Sequence, residues 1–113
     1  MENFIKAILE SNAECESEKG RIRVLNHIDT SSGYELSVQC SEYHYCTPRK
    51  TLEIKDYNEF ELAIFKDDKF VYPDILKDFN RKDELDECYE GTVFEYVPKD
   101  LVEDLYNYLN NHN

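Results

Sequence analysis

The chain has 113 residues and carries 25 acidic against 13 basic residues, a formal net charge of −12 at pH 7. This length fits one domain, spanning residues 1–113, with a single hydrophobic core. The excess of carboxylates disfavours general binding to phosphate backbones or anionic membranes, so neither nucleic acid nor a membrane is expected as a direct partner.

The N-terminal residues do not have the pattern of a signal peptide. The apolar run at residues 4–9 is short and interrupted, and no cationic segment precedes it. No stretch approaches membrane-spanning length. The four cysteines are therefore predicted to be thiols in a reducing cytoplasm rather than a disulfide framework.

The first predicted element is a short amphipathic helix. Apolar residues at helical spacing cover residues 3–11, and Asn3 is available as the N-cap. Residues 12–20 follow with three acids, one lysine and no apolar periodicity. They are predicted to form an exposed connector.

A β-hairpin comes next. Apolar alternation over residues 22–28 and 34–40 predicts two strands, and the intervening loop at 29–33 has the Asp, Ser and Gly chemistry of a turn. The alternation inverts at residues 41–42. This inversion indicates either a bulge that redirects the strand or the end of the strand.

The second half of the chain predicts further strands and two helices. Residues 59–65 alternate, a turn leads into 70–72, and residues 92–97 form another strand. Pro73 begins a predicted helix of two or three turns, and Pro98 begins the last helix. The inner face of this last helix is predicted to consist of Leu101, Val102, Leu105, Tyr108 and Leu109.

The order of these elements predicts the fold class. Helix, hairpin, further strands, helix, strand and helix are typical of an α+β fold. We expect a largely antiparallel sheet of four to five strands, with two to three helices packed on one face.

Residues 40–50, CSEYHYCTPRK, concentrate two thiols, an imidazole, two phenols and two cations. Cys40, His44, Cys46 and Cys88 are ligand types that zinc accepts, but the tight C-x2-C pairs of structural zinc sites are missing. This set is therefore only an alternative, and the prediction is no metal and no cofactor. No nucleophile–base pair or phosphate-binding loop is recognisable, so no catalytic residue and no enzymatic activity are predicted.

The same segment suggests a binding platform. Continued alternation would place Tyr43, Tyr45 and Arg49 on one face, with Lys50 beside them. Tyrosine rings can stack on a base while cations hold a phosphate. Capture of a nucleotide-like small molecule by these four residues is the alternative function.

The leading hypothesis concerns the acidic second half, where residues 51–113 hold 17 acids and 7 bases against 8 and 6 in residues 1–50. Tyrosine among carboxylates suits a protein interface, and opposite charge favours a basic partner. The predicted partner-binding residues are Asp83, Glu84, Asp86, Glu87, Tyr89 and Glu90. Self-association into a homo-oligomer is left open.

Three segments resemble small uncharacterised proteins of tailed bacteriophages: YCTPR at residues 45–49, the acidic strand at 60–65, and TVFEYVPKDLVEDLYNYL at 92–109. The resemblance implies a cytoplasmic protein made during infection or from a mobile element, and it supplies no functional residue. Small acidic proteins of that setting often bind and block a host protein. The resemblance therefore extends the hypothesis to a non-enzymatic inhibitor of a host nucleic-acid-handling or defence protein.

Overall fold

The computed structural model describes residues 1–12 and 24–111. Most of the predicted connector, Cys15 and the start of the predicted first strand lie outside the described residues. Within them the chain forms three α-helices, two 3₁₀ helices and a five-stranded antiparallel sheet, which confirms the predicted α+β class. The elements are α1 (Asn3–Ser11), β1 (Ile28–Asp29), β2 (Glu35–Gln39), a 3₁₀ helix (Ile54–Asp56), β3 (Glu59–Lys66), β4 (Lys69–Phe70), a 3₁₀ helix (Asp74–Asp78), α2 (Lys82–Glu87), β5 (Phe94–Pro98) and α3 (Lys99–Asn110).

Strand β3 is the centre of the sheet. β2 pairs along one side of it, with Val38 opposite Leu62, and β1 extends the sheet beyond β2. The other side of β3 is shared by β5 at one end and β4 at the other. Every pairing is antiparallel, so the order of strands in space is β1, β2, β3, and then β4 and β5 along the same edge.

The core lies on one face of β3. Phe60, Leu62 and Ile64 alternate along the strand and are buried, as the two-residue period of a strand requires. Helices α1 and α3 cover this face, and the ring of Phe4 in α1 meets Phe60 edge to face at a centroid distance of 5.3 Å. The buried residues of α3 are Leu101, Val102, Leu105 and Leu109. None of the described helices is long and apolar enough to cross a membrane.

The N-terminus of α1 is capped from a distance. Asn3 is the first helical residue rather than the predicted N-cap, and Glu2, at the cap position, makes no side-chain capping bond. Instead, the Glu103 carboxylate of α3 accepts hydrogen bonds from the backbone N–H groups of Asn3, at 2.9 Å, and Phe4, at 3.0 Å. A carboxylate at this end satisfies two unpaired donors and complements the helix dipole.

The predicted hairpin is present, but its first strand is short. β1 has two residues, and Val24 is exposed. Upstream of β1, the side-chain amide of Gln39 accepts from the N–H of Leu25, at 2.8 Å, and donates to the C=O of the same residue, at 2.9 Å. A side chain therefore takes the place of strand pairing here, which apolar alternation does not reveal.

One prediction near residue 80 is wrong, and one helix there was not predicted. The expected helix of two or three turns is the five-residue 3₁₀ helix Asp74–Asp78, with Pro73 at its N-cap. Leu76 and Phe79 are still buried, since residues three apart share a side of a 3₁₀ helix. The acidic stretch that follows, for which no element was predicted, forms α2 around the buried Leu85.

Candidate functional site

The segment after β2 is a turn and not a continued strand. β2 ends at Gln39, and the N–H groups of His44 and Cys46 donate to the carbonyl oxygens of Ser41, at 3.2 Å, and His44, at 2.9 Å. The inversion at residues 41–42 therefore marks the end of the strand. The expectation that alternation aligns Tyr43, Tyr45 and Arg49 on one strand face is wrong.

Tyr45 and Arg49 nevertheless come together, within the turn. The guanidinium carbon of Arg49 lies 5.5 Å from the centroid of the Tyr45 ring, a cation–π arrangement. The N–H of Tyr45 donates to Oε2 of Glu61 at 2.9 Å, which anchors the turn to β3. Tyr43 and Lys50, the other two residues of the predicted platform, are exposed.

Tyr96 of β5 joins this pair. Its N–H donates to the C=O of Tyr45 at 3.0 Å, and the two rings are 6.0 Å apart at an interplanar angle of 61°. Tyr45, Arg49 and Tyr96 form what we call the tyrosine patch. Both tyrosines are exposed, at 42% and 38%.

Tyr96 has an unusual backbone. Its φ is +52°, in the left-handed region that residues other than glycine, asparagine and aspartate rarely adopt. The register between β3 and β5 shifts between Phe60 and Leu62, so Tyr96 lies at a β-bulge. Bulges redirect side chains and are frequent beside functional sites. Sequence reasoning did not place Tyr96 beside Tyr45 and Arg49, because strand alternation carries no signal for a bulge.

The thiols near this patch serve the local structure. Cys40 and Cys46 are fully buried, and the Cys46 thiol donates to the C=O of Ser41 at 3.2 Å. Nδ1 of His44 lies 2.7 Å from the Ser41 hydroxyl. Among the residues described, no group of three or more His, Cys, Asp or Glu side chains could hold a metal ion. The alternative zinc set of Cys40, His44, Cys46 and Cys88 does not come together.

Cys88, after α2, is half-buried in acidic surroundings. Burial raises the pKa of its thiol, and the charges of Glu59, Glu87 and Glu84 raise it further. The thiolate is the nucleophilic form of cysteine, so a raised pKa makes Cys88 a poor nucleophile at neutral pH.

Arg81 gathers carboxylates from two helices. Its Nη1 lies 2.8 Å from Oδ2 of Asp104 and 2.9 Å from Oδ2 of Asp100, both in α3, and its Nε bonds to Glu84 of α2. Hydrogen bonds to Asp104 and Glu84 raise the pKa of the guanidinium. One cation among three carboxylates leaves a net negative charge at this junction of α2 and α3.

The predicted partner-binding residues lie on and after α2. All except Asp86 are exposed. Asp86 accepts hydrogen bonds from Lys82, at 2.7 Å, and from the Tyr72 hydroxyl, so it is engaged within the protein. Asp83, Glu87 and Glu90 have no ion-pair partner in the part of the chain that the structure describes.

The acidic surface is defined as these three residues together with Glu84, Asp100 and Asp104. Sequence reasoning did not assign Asp100 and Asp104 to the partner site. Their spacing of four residues near the start of the helix after Pro98 places both on one helix face, and that was the available signal. The spacing did not indicate that Arg81 joins this face to α2.

A cleft of about 270 Å³ lies between the acidic surface and the tyrosine patch. We call it the Tyr96 cleft. Tyr96 belongs to the tyrosine patch and lines this cleft together with Glu84, Glu87 and Asp100 of the acidic surface, so the cleft connects the two segments that sequence analysis treated separately. The cleft is lined by Arg81, Glu84, Glu87, Cys88, Tyr96, Pro98, Asp100 and Leu101.

Comparison of the chain with protein-family models, with curated proteins and with solved structures found no match. The class that the fold defines is α+β.

Proposed function

We propose that this protein is a non-enzymatic interaction domain that binds a basic surface of a partner protein through its acidic surface. The observation that carries the proposal is the set of exposed carboxylates at Asp83, Glu87 and Glu90, which no described cation neutralises. Glu87 lines the same cleft as members of the cluster in which a single arginine is shared by three acids. Such a surface attracts cations and repels anions.

Charge of this kind acts mainly on the rate of association and on specificity. Complementary potentials steer the encounter between two proteins, and this contribution weakens as salt is added. With a net charge of −12, the whole chain reinforces the local effect. The protein should therefore associate quickly with a basic partner and respond strongly to ionic strength.

The biological setting is part of the proposal. The resemblance to tailed-phage proteins favours a partner in the host cytoplasm whose basic surface otherwise binds nucleic acid. Binding to that surface would inhibit the partner by competing with its phosphate ligand. The carboxylates would then act in place of backbone phosphates.

The test compares two immobilised variants with the wild-type chain in a bacterial lysate. D83N/E87Q/E90Q removes three unpaired charges, and E10Q/D29N/D67N removes three exposed charges elsewhere. Captured proteins are quantified by mass spectrometry, and their ability to bind heparin is measured. We expect wild type and the control to enrich the same heparin-binding protein, and D83N/E87Q/E90Q to lose it. Equal capture by the wild type and both variants, or capture that is unchanged at high salt, would contradict the proposal.

The alternative, capture of a nucleotide-like ligand by Tyr43, Tyr45, Arg49 and Lys50, stays a prediction. Arg49 already lies over the Tyr45 ring, so a base stacking on that side of the ring would have to displace it. A thermal-shift screen with nucleotides tests the alternative, because a ligand at a hundred times its dissociation constant adds about 2.7 kcal/mol of stability.

A further inference from the structure

We infer that the Tyr96 cleft is the docking point for one arginine or lysine side chain of the partner. This inference rests on the proposed function, because it names the subsite at which the basic surface is anchored. The tyrosine patch would supply the ring against which the cation packs, and the rim of the cleft would supply the countercharge.

The size of the cleft suits a side chain rather than a free ligand. Its volume of about 270 Å³ is below the range of about 300–1,000 Å³ that is typical of small-molecule sites. Tyr96, 38% exposed, supplies an aromatic ring to the lining, and the buried Leu101 lines the cleft as well. The long aliphatic stem of arginine or lysine can cover such apolar surface while the charged end stays near water.

The charges that line the cleft complement a cation. Glu84, Glu87 and Asp100 contribute three carboxylates, and Arg81 is the one cation among the lining residues. Its guanidinium is already bound to Glu84, Asp100 and Asp104, whereas Glu87 has no described ion-pair partner. Burial raises the pKa of the Cys88 thiol, which also lines the cleft, and the charges of Glu59, Glu87 and Glu84 raise it further.

The chain itself pairs cations with tyrosine rings elsewhere. Arg49 lies over Tyr45, and Lys82 lies 5.6 Å from the centroid of Tyr72 while its ammonium bonds to the carboxylate of Asp86. The Tyr96 cleft has the same two components, a ring and adjacent carboxylates. No cation of the described ranges lies over the Tyr96 ring. A cation from a partner would complete the arrangement.

Arginine and aromatic residues dominate the energetics of protein interfaces, usually near the centre of the contact. Tyr96 lies between the acidic surface and the rest of the tyrosine patch. A partner centred there would reach both. Tyr96 has a left-handed backbone at this point of the surface, a conformation that asparagine or glycine adopts more easily.

The cleft can be tested without the partner by titrating the isotopically labelled chain with acetyl-arginine amide and following backbone amide NMR signals. Acetyl-citrulline amide, an uncharged isostere, is the matched control. We expect saturable shifts at Glu87, Tyr96 and Leu101 with the arginine probe, at a dissociation constant on the order of 1–10 mM, and none with citrulline. An equal response to both probes, or unsaturable shifts spread over all exposed acids, would overturn the inference.

Variants then test the ring. Tyr96→Asn removes the aromatic ring but suits the left-handed backbone, so its amide spectrum should remain that of a folded chain. It should weaken binding of the arginine probe about 10-fold, whereas Tyr96→Phe, which keeps the ring, should bind as wild type does. Phe70→Ala, which removes another exposed aromatic ring, is the control and should change nothing.

The two proposals can fail separately. If D83N/E87Q/E90Q loses the captured protein while Tyr96→Asn binds both that protein and the arginine probe normally, the docking inference is wrong and the acidic interface stands. If capture does not depend on charge, the proposed function fails whatever the titration shows.

Discussion

Replacing Arg81 by methionine tests how the acidic surface is held together. Methionine retains much of the aliphatic length of arginine but removes the guanidinium that joins α2 to α3. Three carboxylates, on Glu84, Asp100 and Asp104, then lose their shared cation and repel one another. We expect the variant to be less stable than wild type at low salt.

The size of the expected loss of stability follows from how exposed the paired side chains are. The arginine side chain is 21% exposed, and its partners are 57%, 74% and 51% exposed. Exposed ion pairs contribute about 0.2–1 kcal/mol each, because water and dissolved ions screen them. Three such pairs, together with the repulsion that their loss uncovers, give an expected destabilisation of about 1–2 kcal/mol.

Urea unfolding at two salt concentrations measures this loss. The screening length is about 10 Å at 0.1 M salt and about 3 Å at 1 M, so the destabilisation should shrink markedly at the higher concentration. Lys77→Met is the matched control, because it changes net charge equally at an exposed lysine with no described ion pair. A loss that is the same at both salt concentrations would refute the reasoning and assign the role of Arg81 to packing of its stem.

Three further predictions follow from individual contacts. Glu103→Ala should lower the free energy of unfolding by about 1–2 kcal/mol, since it uncaps α1, and Glu10→Ala, on the same helix, serves as the control in urea titration. Burial alone raises the pKa of Asp86, but hydrogen bonds from Lys82 and Tyr72 bring it below the ordinary value. The resulting stability is present above pH about 3.9 and is lost as pH falls through the lower folded value, so Asp86→Asn should show a smaller acid-induced drop in melting temperature than wild type. Cys88 should react with iodoacetamide at pH 8 more slowly than an unstructured peptide thiol, as measured by peptide mass spectrometry, and an equal rate would contradict its raised pKa.

The sequence predicted those elements whose signal is local. β2 and β3 were recognisable because a strand with one buried face repeats every two residues. α3 was recognisable from Pro98 and its apolar stripe. The contacts that were missed join distant residues: Gln39 pairs with the backbone of Leu25, and Glu103 caps a helix a hundred positions away in sequence. Periodicity within a window of residues carries no information about such partners.

The candidate site shows the same difference between local signals and contacts that join distant residues. The aromatic and cationic content of residues 43–50 indicated a binding surface, and Tyr45 and Arg49 do meet, but through a turn and not through strand alternation. Tyr96 was not expected beside Tyr45 and Arg49 because a bulge directs it there, and Asp100 was not assigned to the partner site because its connection to α2 depends on Arg81. Residue types were readable from the sequence, whereas their convergence depended on the three-dimensional fold.

The salt dependence of binding to the captured partner, compared between wild type and D83N/E87Q/E90Q, tests the acidic interface. We expect the affinity of wild type to fall steeply between about 50 mM and about 500 mM NaCl, and the variant to start weaker and fall less. Matching affinities and matching slopes for the two chains would show that the carboxylates of α2 and the turn after it do not select the partner.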